Sequence, residues 1–319
     1  EVNCVSCGFT LSSRTRIAVQ REIARLKASG DNPQILKTLV RQYEYYGEQT
    51  CAGDGLCSMS CPMGINVADM THEIRRGNMG NTGEKIGKLV ADNFHGVKTG
   101  LRAVLDVAGI AHDILGDKVM GTVAKGMHAV GAPLWTPAFP KSYNASRRLD
   151  ANHESELKVV YFPSCLNQTM GTDKASKGLK PLAEEMVELL QKAGYQVIFP
   201  KRMDSLCCGT IWESKGLPAI ADEKVKELEN ALWEASNRGK YPVICDQSPC
   251  LHRMKHNITK VELYESAEFI WKFLKDRLVF TKKDIPVALH LTCSTKLMKI
   301  DKIVCDLAGL CTSQVYIPE

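Results

Sequence analysis

From Ser12 onward the apolar residues Ile17, Ile23 and Leu26 recur at helical spacing; Ser12 or Ser13 can cap the helix and Gly30 stops it. Asp31 and Pro33 start a second helix at once, with Ile35, Leu36, Leu39, Val40 and Tyr43 on one apolar stripe. Further helices are expected around 84–105 and 109–130, followed by a linker marked by Pro133, Pro137 and Pro140. From residue 151 the period changes. Leu157–Phe162 reads as a strand, the stripe Leu179, Leu182, Met186, Leu189 and Leu190 as a helix ending at Gly194, and Val197–Phe199 as a strand again. Helix 218–237, strands 242–246 and 260–264, helix 265–278 and strand 286–292 continue the alternation, which predicts a parallel sheet covered on both faces. Val159–Cys165 and Val287–Cys293 each run a strand into a cysteine, 128 positions apart, so two similar halves are expected, the second cut short.

The pattern gives three stretches: a helical region over 1–80, a helical spacer and Pro-rich linker over 81–150, and an α/β region over 151–319. A chain of 319 residues, 44% hydrophobic and 24% charged, can bury a core, and this composition excludes collagen, coiled coil and bulk disorder. The net charge of +5 is spread without a basic stripe or interleaved aromatics, which argues against nucleic-acid binding. No run of 18 apolar residues is present. The chain opens on Glu1-Val2-Asn3-Cys4, without a signal segment, and is expected to be a piece of something longer. The spacer's mixture of Lys/Arg and modest apolar faces could touch a membrane surface or a partner; plain packing on its neighbours is the simpler expectation.

Cysteine is the departure. There are 13, an odd number, and two are adjacent, Cys207-Cys208, so a paired disulfide framework is a poor account and metal ligation in a reducing compartment a better one. Cys51-Ala-Gly-Asp54-Gly-Leu-Cys57-Ser-Met-Ser-Cys61-Pro62 keeps every spacing of the bacterial ferredoxin run, with Asp54 where the second Cys belongs. Asp54 is either a carboxylate ligand to the fourth iron or no ligand at all, which would leave an open iron or a three-iron cluster. Cys4-x2-Cys7 begins a second copy, but Thr10 and Arg14 stand where its next ligands would fall; the site is degenerate or residues are missing there. The helical hairpin should bring Cys4 and Cys7 near Cys51, Cys57 and Cys61. A zinc site made of Cys4, Cys7, Cys51 and Cys57 is the alternative, though it explains neither the third spacing nor Cys61-Pro62.

A second set is Cys165 just beyond the first expected strand, Cys207-Cys208-Gly209 in the loop after the second, Cys250 at the end of the third and Cys293 just after the last, so that all converge on the carboxyl edge of the sheet. Gly209 would leave backbone N–H groups close to sulfur. His290, three residues before Cys293, could join as a ligand or proton relay, or be a hydrogen-bonded core residue. Cys305 and Cys311 read as packing residues, and so does Cys245, within a strand, though its distance from Cys250 keeps it a candidate ligand.

With Cys-Cys-Gly at 207–209, Cys165, Cys250 and the restart at Cys293, the chain resembles the cysteine-rich CCG domain shared by heterodisulfide reductase, glycerol-3-phosphate dehydrogenase and lactate-utilisation subunits. The run Thr50–Cys57 with Cys61–Ile65 narrows the resemblance to the C-terminal iron–sulfur half of FAD-dependent D-lactate and D-2-hydroxyacid dehydrogenases. The resemblance implies an α-helical ferredoxin-like domain followed by an α/β domain with two Rossmann-like parallel-sheet repeats. It also implies one to three [4Fe-4S] clusters, an FAD-binding domain upstream in the same polypeptide, and a quinone or cytochrome acceptor. The expected location is cytoplasmic, with the inner face of the cell membrane as an option. Two departures stand out: the first ferredoxin motif lacks its later cysteines and its Pro, and no Cys-Cys-Gly follows Cys293 before Glu319. Without a flavin domain this stretch alone should not oxidise a hydroxyacid. The alternative implied by the same motifs is a heterodisulfide-reductase-like or glycerol-3-phosphate dehydrogenase-type subunit whose CCG cluster is itself the working centre.

Overall fold

A computed structural model describes residues 10–128, 135–150, 153–176 and 178–318. The chain is a mixed α/β protein that divides into two compact units. The first comprises Glu1–Lys88, Thr210–Ala221 and Leu291–Lys299, and the second Leu89–Gly209, Asp222–His290 and Ile300–Glu319. This partition cuts the chain differently from the three expected stretches. Residues from 89 onward group with the α/β part instead of forming a separate spacer, and two later segments join the helical part.

In the first unit, helix α1 (Ser13–Ser29) starts where Ser12 accepts the Thr15 N–H and ends at Gly30 in the left-handed conformation, as its pattern predicts. Helix α2 (Pro33–Tyr43) continues into a π-helical turn, Glu44–Gln49. Its expected apolar stripe is mostly open: of those five residues only Tyr43 is buried, and Ile35 and Val40 are exposed. The hairpin closes through buried Arg16, whose Nε donates to the Gly47 carbonyl at 2.8 Å, and through the Leu11 N–H to the Tyr46 carbonyl. Helix α3 (Val67–Asp92) follows, kinked at Gly80. The segment 210–221 belongs here because Arg75 donates to the Ser214 carbonyl at 2.7 Å and Trp212 Nε1 to the Gly87 carbonyl at 3.1 Å. Gly216 also leaves no room for a Cβ, which would stand 2.4 Å from the Arg76 backbone nitrogen.

Helix α4 (Phe94–His128) opens the second unit. The helices expected over 84–105 and 109–130 are instead 67–92 and 94–128, and the breaks fall at Gly80 (φ 62°, ψ 170°) and Gly116 (φ 70°, ψ 174°), backbone that glycine alone reaches without strain. The faces of α4 are inverted relative to a simple amphipathic helix. Lys98, Arg102 and His112 are buried beside Phe94 and Leu105, while Val97, Val104, Val107, Ile110 and Ile114 are exposed. The reason is a set of polar partners in the same unit: Arg102 reaches Asp204 at 2.6 Å, and Lys98 reaches Gln168 at 2.5 Å and Asp204 at 3.5 Å. No helix of the described residues is long and apolar enough to cross a membrane.

The core of this unit is a four-stranded parallel sheet. Numbering strands in chain order, β1 (Pro140–Ser142) and β3 (Met170–Asp173) form a small antiparallel pair, while β2 (Leu157–Phe162), β4 (Tyr195–Ile198), β5 (Val243–Cys245) and β6 (Leu263–Glu265) align in the order β4-β2-β5-β6. The near-continuous apolar runs of β2 and β5 are those of strands covered on both faces. Val159, Val160, Tyr161 and Ile244 are fully buried, as are Leu190 of helix α6 (Leu182–Lys192), Leu228 and Leu232 of α7 (Pro218–Ala235) and Leu251 of α8 (Ser248–Asn257). Each such aliphatic side chain contributes roughly 1.5–3 kcal/mol. Helix α5 (Cys165–Thr169) lies between β2 and β3. Strands β7 (Lys283–Ala288) and β8 (Thr312–Tyr316) form a separate parallel pair, and α10 (Asp301–Cys311) leads directly into β8. Strand β7 is largely exposed.

Candidate metal centres

In the first unit, Cys51, Asp54, Cys57 and Cys61 line one cavity of about 560 Å³, together with Arg14, Arg16 and Cys293. The loop that carries them depends on Gly53 (φ 70°) and Gly55 (φ 76°). A Cβ on Gly53 would also lie 2.7 Å from His72 Nε2. The Asp54 carboxylate accepts the Leu56 N–H at 3.1 Å, closing its own turn. Cys57 begins a one-turn helix, Cys57–Ser60, and Cys61 caps it in extended backbone. The backbone N–H groups of Ile65, Met63 and Gly64 donate to the Cys61 sulfur and hold its thiol below the ordinary value. Arg75 fixes the start of the loop, donating to the Cys51 and Glu48 carbonyls at 2.8 Å each. Cys4 and Cys7 lie outside the described residues.

Cys293 stands in this first set, not with Cys165, Cys207, Cys208 and Cys250. It opens helix α9 (Cys293–Leu297), and its thiol hydrogen-bonds to Asp54. Burial, then the Asp54 carboxylate, push that thiol up to about 11. The expectation failed because position in a repeat specifies which strand precedes a residue, while the side chain's destination depends on tertiary contacts. The local device nevertheless repeats. Ser164 caps α5 by accepting the Asn167 N–H, and Thr292 caps α9 by accepting the Thr295 N–H, so Cys165 and Cys293 occupy the same position in two like turns.

In the second unit, Cys165 follows β2, Cys207-Cys208 follow β4 and Cys250 follows β5, all at the carboxyl edge of the parallel sheet. Their thiols form a hydrogen-bonded chain: Cys207 donates to Cys165 and is linked to Cys208, and Cys250 donates to Cys208. Cys207 and Cys208 are buried. The Cys207 bond holds the Cys165 thiol down against burial, with the Lys98 charge helping, whereas Cys207 and Cys250 are pushed up by the protons they donate and by burial. The Gly209 N–H lies 3.5 Å from the Cys207 sulfur, and its φ of 89° requires glycine.

Several supporting residues escaped the sequence reading. Arg253, buried on α8, donates from Nε to the Cys208 carbonyl at 3.0 Å and pairs with Asp222 at 2.8 Å. Its spacing of three from Cys250 on one helix is the signal that could have found it. Buried Asp246 accepts the Tyr161 hydroxyl at 2.7 Å and the Ser164 N–H at 2.8 Å, tying β5 to the turn that presents Cys165. Lys98, pushed down to about 8 by burial, carries no sequence signal at all.

His290 is exposed, which removes the core reading for it. Cys245 is fully buried in its strand as expected, but Cys305 is only half-buried and Cys311 is exposed, so neither is a plain core residue. No disulfide forms among the described cysteines. Among the described residues no group of three or more His, Cys, Asp or Glu is arranged to hold a metal ion. Thiols around one cavity, and thiols strung along a sheet edge with a backbone N–H on sulfur, are donors that an iron–sulfur group could use.

No protein-family model, curated protein or solved structure matches this chain.

Proposed function

We propose that the chain is the iron–sulfur electron-transfer module of a flavin-dependent D-lactate or related D-2-hydroxyacid dehydrogenase. In this reading FAD sits on a separate domain upstream in the same polypeptide, and electrons leave to a quinone or cytochrome. The observation that carries it is the meeting of Cys165, Cys207, Cys208 and Cys250 at one sheet edge, with the Gly209 N–H on sulfur. Iron–sulfur clusters, one to three of the [4Fe-4S] kind here, supply one-electron transfer when bound. The chain's own residues supply ligation, burial and charge: Lys98 places a cation near Cys165, Arg253 fixes the Cys208 backbone, and Asp246 fixes the turn before Cys165. The helical hairpin takes the ferredoxin-like role, and the β2–β6 sheet with the β7–β8 pair the role of two Rossmann-like repeats.

A second reading, a heterodisulfide-reductase-like or glycerol-3-phosphate dehydrogenase-type subunit, draws on one observation. The Cys165–Cys207 pair is polarised, one thiol held down and its partner up, which suits thiol chemistry at the site itself. Substrate thiols that alter the spectrum of the reduced protein would select it.

The test is anaerobic incubation of the chain with iron and sulfide, followed by dithionite reduction and electron paramagnetic resonance. Reduced-cluster signals are expected, and a spectrum that Cys207→Ser and Cys208→Ser both leave unchanged in shape and intensity would overturn the assignment of the second site.

A further inference from the structure

The ferredoxin-like run has a carboxylate where its second thiolate belongs, at Asp54. The fold brings another thiol to that place. Cys293, 239 positions later, hydrogen-bonds to Asp54 and lines the same cavity as Cys51, Cys57 and Cys61. We infer that Cys293 is the thiolate that completes the ligand set of this cavity, with Asp54 as its neighbour rather than the ligand. The inference rests on the iron–sulfur reading above and departs from the repeat pattern, which groups Cys293 with Cys165.

Three observations carry it. First, all five residues belong to one compact unit, and the segment 291–299 is part of that unit although β7 and α10 on either side of it are not. Second, Cys293 is presented by a hydroxyl-capped turn of the same form as the one presenting Cys165, so it is held at a helix start rather than filling a core. Third, one Asp54 oxygen already accepts the Leu56 N–H of its own turn, while a thiolate is the softer donor and suits iron–sulfur ligation better than a carboxylate. The cavity, about 560 Å³, is of a size for a polynuclear core and exceeds what one ion needs. Ligation forms an iron–sulfur bond and breaks the Cys293 S–H bond; the proton leaves to solvent, which reaches this half-buried thiol.

The experiment is differential alkylation of the full chain, before and after anaerobic loading with iron and sulfide, read residue by residue by mass spectrometry. Loss of alkylation at Cys293 is expected on loading, in step with Cys51 and Cys57, while exposed Cys311 reacts in both states. In parallel, Cys293→Ala should lower bound iron by about one atom per chain and shift the oxidised spectrum toward a three-iron cluster, while Asp54→Asn leaves both unchanged. If iron and sulfide are bound but Cys293 alkylates equally in both states, this inference falls and the iron–sulfur reading stands. Failure to bind iron overturns both. The alkylation arm uses the unsubstituted chain, so a variant that misfolds does not decide the outcome.

Discussion

Arg253→Met isolates what holds the Cys-Cys-Gly loop in place. Methionine keeps most of the apolar stem and removes the guanidinium, which lies on a side chain only 5% exposed. Its contacts with Cys208 and Asp222 are lost. The buried Cys208 carbonyl loses a charged donor at 3.0 Å, and leaving such an acceptor unpaired costs about 1.5–3 kcal/mol. The Asp222 carboxylate loses its partner at 2.8 Å, but Asp222 is 54% exposed, so that pair is worth only ~0–1 kcal/mol. Regained apolar contact by the methionine offsets part of this, leaving a net loss of about 2–3 kcal/mol. The cost falls on local opening of the loop, where Cys207 and Cys208 are 2% and 3% exposed. The assay is alkylation of these two thiols in metal-free protein under native conditions, where closing outpaces labelling and the rate reports the opening equilibrium. At about 1.4 kcal/mol per factor of ten, labelling should accelerate roughly thirty- to a hundredfold. An acceleration below about threefold, with an unchanged folded spectrum, would refute the assignment of Arg253 as the residue that fixes this loop.

Further consequences follow from the same geometry. Gly209→Ala places a Cβ at φ 89° and should destabilise the second unit by about 1–2 kcal/mol, seen as a lower urea midpoint at constant slope. In metal-free protein the Cys165 thiol should alkylate at lower pH than Cys207 or Cys250, and Lys98→Met should move the Cys165 profile upward; coincident profiles for all three would contradict the hydrogen-bond directions. Lys98 is held down to about 8 from 10.5, so the unfolded chain keeps this proton longer than the folded one. Stability from this group therefore rises as pH climbs from about 8 to 10.5, by up to about 3 kcal/mol. Subtracting the Lys98→Met pH profile from that of the unsubstituted chain should expose that rise, and a flat difference would show that the lysine is not desolvated.

Strand β2, helix α1 with its Ser12 cap and Gly30 stop, and the alternation that builds the parallel sheet were legible because each is a local pattern: period, cap and breaker within a few residues. Position at the carboxyl edge then followed for Cys165, Cys207, Cys208 and Cys250 from the strand order of events along the chain. What was not legible depends on contacts between distant segments. The stripe on α2 reads as buried but stays largely open, because its period is right while no element in the described residues covers Ile35 or Val40. Helix α4 points Lys98 and Arg102 inward because Asp204 and Gln168, both from later in the chain, await them. Cys293 obeys its repeat in local shape and departs from it in destination.

The metal content of the chain, purified without oxygen from cells that made it, tests the iron–sulfur assignment most directly. Iron and acid-labile sulfide in near-equal amounts, both lowered on Cys207→Ser with Cys208→Ser while the share held at Cys51, Cys57, Cys61 and Cys293 remains, are the predicted result. Zinc as the sole metal, without sulfide, would contradict it.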